Sequence, residues 1–291
     1  IAVGGGLTCF RLKDGKVTCW GTHRVYGEDS STPVPFDFST LHDVVDLGVQ
    51  NDFGCARLRD GRVQCWGENR SAQLGGKASS RWVDRPVDIA GISGAKALAV
   101  GNEHSCAIDK DDGVLCWGEN SDAQLGDGTH EPRSAPVHPI GISRAIGVAA
   151  AYRTTCVLLA DRNVRCWGQN DRGQLGDGTT IDRPSPVRVL GLESVREVTL
   201  GGAHACALLV DGTVRCWGTG RAGELANGDH EDALAPVKIY GLADVEEVQA
   251  SPGFTCARLR DRSVKCWGDN HEGLLGDGTS FERDFPVLVA F

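Results

Sequence analysis

The chain has 291 residues and a formal charge of −9, with 30 Lys plus Arg against 39 Asp plus Glu. Its 41% of apolar residues can build a core and exclude a disordered chain, while the acidic balance opposes binding to nucleic acid or to an anionic membrane surface. No apolar run reaches the length of a membrane span, so no membrane insertion is expected. There is no basic-then-apolar leader and no methionine, which reads as a mature or trimmed product.

The motif Cys-Trp-Gly begins at Cys19, Cys65, Cys116, Cys166, Cys216 and Cys266, at intervals of 46, 51, 50, 50 and 50 residues. A fixed period of this size marks a repeat architecture. Blade one opens at Ile1-Ala2-Val3-Gly4, which matches Val198 to Gly201, and carries Arg24-Val25-Tyr26-Gly27-Glu28-Asp29 where other repeats have Gly-Gln-Leu-Gly-Asp-Gly-Thr. Blade two adds Trp82, outside the repeat register and flanked by Arg81 and Arg85. Blades three, four and six carry Gly-Asp-Gly-Thr at 126–129, 176–179 and 276–279. Blade five shows the whole grammar: an apolar run to Leu200, then Gly-Gly-Ala-His, Cys-Ala-Leu-Leu-Val, Asp-Gly and Thr-Val-Arg-Cys-Trp-Gly, then a Gly-rich stretch and Ala-Pro-Val-Lys-Ile. That is four short strands divided by turn signals, with no window for an amphipathic helix. Pro286-Val287-Leu288 matches Pro236-Val237-Lys238, so the chain stops after a fourth strand. The expectation is an all-β, six-bladed propeller forming one domain over 1–291. Closure is expected by pairing of the terminal strands, with the strand around Pro286 to Ala290 sharing a blade with the strand that begins at Ile1.

The segments 118–129, 168–179 and 268–279, with His104-Ser-Cys-Ala and His204-Ala-Cys-Ala, resemble the regulator of chromosome condensation repeat over essentially the whole chain. The resemblance implies a propeller, usually of seven blades, and six here is a departure: either this is a six-bladed variant or a seventh repeat lies outside these 291 residues. The family includes a nuclear exchange factor, a plant ultraviolet photoreceptor and a secreted bacterial inhibitor of β-lactamase, so the fold does not fix the function. In the family's pattern the histidine matching His104 and His204 serves structural hydrogen bonding.

The twelve cysteines form six pairs of constant spacing: Cys9 and Cys19, Cys55 and Cys65, Cys106 and Cys116, Cys156 and Cys166, Cys206 and Cys216, Cys256 and Cys266. Zinc ligands stand closer together than this, so no metal or other cofactor is expected. If Val210-Asp211-Gly212 is a three-residue loop with Gly212 left-handed, Cys206 falls opposite Cys216 at a non-hydrogen-bonded site, within reach of a disulfide. Three repeats carry Asp112, Arg162 and Arg262 at that turn position, at a cost of roughly 1 kcal/mol each. The alternative is six pairs of reduced, buried thiols. Disulfides on this scale imply an extracellular, cell-surface or periplasmic location, a departure from the family's nuclear and cytosolic members.

The repeated Trp residues read as packing between blades, and Gly-Asp-Gly-Thr as a tight turn rather than a calcium or phosphate loop. No catalytic motif occurs, so the chain reads as a binding protein rather than an enzyme. A channel-site hydrolase or lyase, and an exchange-factor-like regulator, stand as alternatives. The loops joining first to second strands emerge on one side and vary from repeat to repeat. Their three positions before the residue preceding the first cysteine include Asp52 and Phe53, Glu103 and His104, Tyr152 and Arg153, His204, and Phe254. Aromatic and Arg side chains are typical interface anchors. A protein-contact surface is therefore expected on these residues, with Tyr26 and Trp82 as outer members, on a monomer whose partner the sequence does not identify.

Overall fold

A computed structural model describes residues 1–4, 7–25, 28–38, 41–76 and 80–290. The described residues are all-β, in six four-stranded antiparallel sheets, each built from four consecutive strands. These are the blades of a propeller. They fall into two compact units, Ile1–Arg153 and Thr154–Phe291.

Blade five shows why the repeat folds this way. Its strands are Val195–Leu200, His204–Leu209, Val214–Gly218 and Ala233–Lys238. The second and third are joined by Val210-Asp211-Gly212, where Gly212 takes φ 80°. Gly212 N donates to Leu209 O at 3.0 Å, and Leu209 N to Thr213 O at 2.9 Å. Asp211 Oδ1 accepts from Thr213 N and Oγ1, closing the turn from its side chain. This loop sets the register and places Cys206 opposite Cys216. All six pairs are bridged in this way, with Cα–Cα distances of 4.0–4.1 Å, the close approach of a non-hydrogen-bonded site. Asp112, Arg162 and Arg262 stand at φ 64°, 66° and 71°, left-handed as the register requires.

The fourth strand is a sheet edge, and five of these edges carry Pro86, Pro136, Pro186, Pro236 or Pro286. Proline removes an N–H that another chain could pair with. On its inner side the ladder shifts register after the second cysteine, between Cys216 and Gly218 in blade five.

The tryptophan of Cys-Trp-Gly joins blades. Trp117 Nε1 donates to Gln73 O at 3.0 Å, Trp217 to Gln174 O at 2.8 Å and Trp267 to Glu224 O at 2.9 Å, all three indoles being fully buried. Around them lie apolar cores shared by neighbouring blades: Phe53, Leu74 and Ile89 with Trp117, and Leu208, Leu225 and Ile239 with Trp267.

The expected exchange of terminal strands is not formed. Arg283–Leu288 completes the sixth blade, with Val287 opposite Cys266, and Ala2–Gly4 pairs with Leu7–Arg11 in the first. The repeat is divided between a fourth and a first strand, so every strand finds its ladder partner inside its own repeat.

Candidate functional site

The variable loop between the first and second strands is held by one recurrent bond. The residue after Cys-Trp-Gly donates its N–H to the loop's second carbonyl: Glu68 to Asp52 at 2.9 Å, Glu119 to Glu103 at 2.9 Å, Thr219 to Ala203 at 2.8 Å and Asp269 to Gly253 at 2.8 Å. This brings the chain so close that a Cβ on Gly67, at φ 98°, would stand 2.1 Å from Asp52 O. Gly118, Gly218 and Gly268 stand equally close, a Cβ on each lying 2.4 Å from the loop carbonyl, which is why glycine follows tryptophan in these repeats.

The loop's three positions then have different fates. The third opens the second strand opposite this glycine: Phe53 opposite Gly67, His104 opposite Gly118, His204 opposite Gly218 and Phe254 opposite Gly268. Phe53, His104 and His204 are buried, and Phe254 is half-buried. Phe53 is therefore a core residue and not the exposed anchor expected from the sequence. Strand alternation aims the third position inward, and Gly101 and Gly201 leave room for the imidazoles, since a Cβ on either would stand 2.3 Å from His104 Cε1 or His204 Cε1.

The first two positions form the accessible tip. Asp52 and Glu103 are half-buried, while Tyr152 and Arg153 are exposed. Tyr152 keeps 41% of its surface and stands at φ 47°, a left-handed conformation costly for an aromatic residue. Its carbonyl accepts from Asn102 N at 3.2 Å, and Arg153 Nη1 lies 3.1 Å from Asp122 Oδ2. Ser71 Oγ donates to Glu103 Oε2 at 3.4 Å. Asp122 and Ser71 were missed in the sequence; the sign available was that loops joining third to fourth strands emerge on the same side. Trp82 lies in the edge strand Trp82–Asp88 opposite Glu68 and is half-buried. Tyr26 is outside the described residues.

The histidines are structural in their surroundings. His204 Nε2 and Thr255 Oγ1 are 2.8 Å apart, a bond from blade five to blade six. Burial lowers the pKa of His104 and of His204 to about 4, so both are neutral near pH 7. The Gly-Asp-Gly-Thr carboxylates are likewise engaged by the fold. Asp127 Oδ1 accepts from Thr129 N and Oγ1 and from Asn120 Nδ2, and Asp127 Oδ2 from Arg133 Nε at 2.8 Å. The same set recurs at Asp177 and Asp277. The Thr279 hydroxyl, with Arg283, holds Asp277 down to about 2.

The model of the RCC1-like domain matches residues 1–291. The chain belongs to the RCC1-like domain family. Among solved structures, yeast RCC1 (Prp20) bound to Kap60 superposes with a TM-score of 0.87 at 20% identity, covering 100% of this chain and 74% of that one. Human WBSCR16 gives 0.85 at 23% identity, covering 100% and 81%. The entire ectodomain of the Physcomitrella patens receptor kinase CR4 gives 0.61 at 24% identity, covering 92% and 63%. No curated protein matches the chain. These likenesses show the fold of this RCC1-like chain, six blades of which lie within residues 1–291, and nothing of its partner.

Proposed function

We propose that this RCC1-like chain is a disulfide-stapled protein-binding module of an extracellular, cell-surface or periplasmic compartment, docking its partner through the tips of the loops between first and second strands. The surface is carried by Tyr152 and Arg153 with Asp52 and Glu103. The observation that carries the reading is Tyr152, an aromatic side chain that keeps 41% of its surface exposed at the loop tip, beside the exposed Arg153. Twelve cysteines paired within their hairpins support the compartment, because such bonds persist where thiols are not kept reduced. Relatives accord with both halves: yeast RCC1 holds Kap60, and a like fold forms part of a receptor-kinase ectodomain. The net charge of −9 opposes a nucleic-acid partner. Burial of His104 and His204 in neutral form argues against either as a general base, and so against an enzyme built on them.

The test is affinity capture with the oxidised protein from its native compartment, followed by mass spectrometry. Tyr152→Ala and Arg153→Ala should keep the parent's melting behaviour and weaken the captured partner by more than about 1 kcal/mol each, or roughly fivefold. Retention of full affinity in both variants refutes this surface. Recovery of twelve free thiols from native material refutes the compartment.

A further inference from the structure

The loop from third to fourth strand is closed by the same four side chains in blades three, four and six. In blade three Asn120 Oδ1 accepts from Leu125 N at 2.9 Å, Asn120 Nδ2 donates to Asp127 Oδ1, and Asp127 also holds Thr129 and Arg133. Asn170 with Asp177, Thr179 and Arg183 repeats the clasp, as does Asn270 with Asp277, Thr279 and Arg283. Blade five has none of the four: Gly220, Asn227, Asp229 and Ala233 stand in their places. Its loop, 219–232, is tied instead to the neighbouring blades. On one side Arg172 Nη1 of blade four lies 3.5 Å from Asp232 Oδ2. On the other, His230 Nε2 lies 3.3 Å from Asp284 Oδ1, on the edge strand Arg283–Leu288 of blade six.

The tie to blade six is complete only with a charged ring. His230 Nδ1 lies 3.0 Å from the Arg221 carbonyl oxygen, which can only accept, and Nε2 faces a carboxylate oxygen. Neutral imidazole has one N–H, so it serves one of these acceptors and turns a lone pair on the other, whereas imidazolium serves both. Asp284 Oδ1 is buried and accepts no hydrogen bond from any other group. The charges around the ring favour the cation. Glu282 of blade six adds to Asp284, while on the loop itself the Arg221 guanidinium is taken up by Asp232 at 3.4 Å. Asp229 and Glu231 flank His230 in the chain. His130, at the matching place in blade three, makes the Nδ1 bond, to Ser121 O at 3.0 Å, but no ion pair among the described residues, and its loop keeps the four-residue clasp.

We propose that loop 219–232 is a proton-operated latch, fastened to the edge strand of blade six while His230 carries its positive charge and released when that charge is lost. The Arg221 carbonyl, and after it Asp284, raises the pKa of His230 above its ordinary value of 6.5. The folded value therefore exceeds the unfolded one, so the latch is fully formed below pH 6.5 and is lost as pH rises through the raised value. A clasped loop does not share this response: Asp277, held down to about 2, stays ionised throughout that range. What the latched loop covers is apolar. A Cβ on Gly228 would stand 2.8 Å from Phe285 Cζ, so the loop rests against that ring, which is already 53% exposed. Release bares more of the ring, and the apolar surface at this blade edge grows with pH.

Amide hydrogen exchange on the oxidised chain follows the latch. Gly223 N and Ala226 N donate within the loop, to Gly220 O and Gly223 O, and report its closure. Corrected for the intrinsic effect of pH, their protection should fall at least about twofold between about pH 6 and about pH 9, the scale of a half-exposed ion pair. Gly273 and Gly276, in matching places under the clasp of blade six, should keep constant protection. Asp284→Asn should flatten the blade-five amides as well. It should also lower the pH at which His230 titrates by NMR, the signal being the one missing from His230→Gln. All three chains should melt alike at about pH 9, where the parent's latch is already open. If Asp284→Asn melts lower there, His230→Gln is read in its place, with the same flat protection expected. Flat protection in the parent overturns the proposal. So does a variant that keeps the parent's pH dependence, or a His230 signal that titrates unchanged in Asp284→Asn.

Discussion

A glycine marks where the loop ends and the core begins in this repeat. The glycine of Cys-Trp-Gly lies so close to the facing loop that a Cβ would strike its backbone, and the residue paired with it, Phe53, His104 or His204, turns into the core. The two buried histidines carry a pH signature. Their pKa is about 4 in the folded chain against about 6.5 when unfolded, so the unfolded state binds more protons between those values. Their contribution is complete above pH 6.5 and is lost as pH falls through about 4, at most about 3 kcal/mol for each. His204→Gln should flatten the decline in stability between pH 6.5 and 4, measured by denaturant unfolding across that range. An unchanged slope would show that His204 is not enclosed as neutral imidazole. The inward aim of Phe53 was the part of the site least legible in the sequence. An aromatic residue in a variable loop looks like an anchor, and only the strand's starting point decides which way it faces. That starting point is set by a backbone contact with Gly67, which composition and periodicity do not report.

The hairpin is the element that the sequence specified most fully. Cysteine spacing, the Asp-Gly signal and the choice of a three-residue loop lead to one register, and all six bridges follow it. Turn chemistry is local, so a few residues determine it. The cost of a side chain at the left-handed position is local too. Arg262 stands at φ 71° where Gly15, Gly61 and Gly212 stand near 80°. Arg262→Gly removes a strain of roughly 1 kcal/mol and adds some freedom to the unfolded chain, for a net gain of about 0.5 kcal/mol. A shift of the denaturation midpoint upward, with an unchanged slope, is the expected reading. A loss of stability would mean that the arginine's own contacts outweigh the strain.

Over the whole molecule, cohesion and stapling are separate systems. Indole N–H bonds and shared apolar clusters hold blades to one another, while each disulfide closes a loop inside one hairpin. Replacing Cys9 and Cys19 by alanine, and separately Cys106 and Cys116, should each cost about 2–4 kcal/mol. Combined, the two losses should sum to within about 0.5 kcal/mol, because the staples share no strand. Calorimetry on the three variants checks this, and a coupling beyond about 1 kcal/mol would show that reduction of one blade loosens the others. Blade number and strand count were legible because the period repeats through the chain. The terminal strands were misassigned because sequence period says where a repeat is divided and nothing about which ladder partner it needs.

The short span of each bridge also governs how the chain matures. Every cysteine has its partner ten residues away, and the nearest cysteine of a neighbouring hairpin is more than three times as far along the chain. Short loops close at the lowest entropic cost, so correct pairing outruns mispairing from the moment a hairpin emerges. A chain delivered from its N-terminus into an oxidising compartment locks one repeat before the next arrives, and it asks little of any isomerase. The spacing that identifies the fold on paper thus doubles as an instruction for assembling it in order.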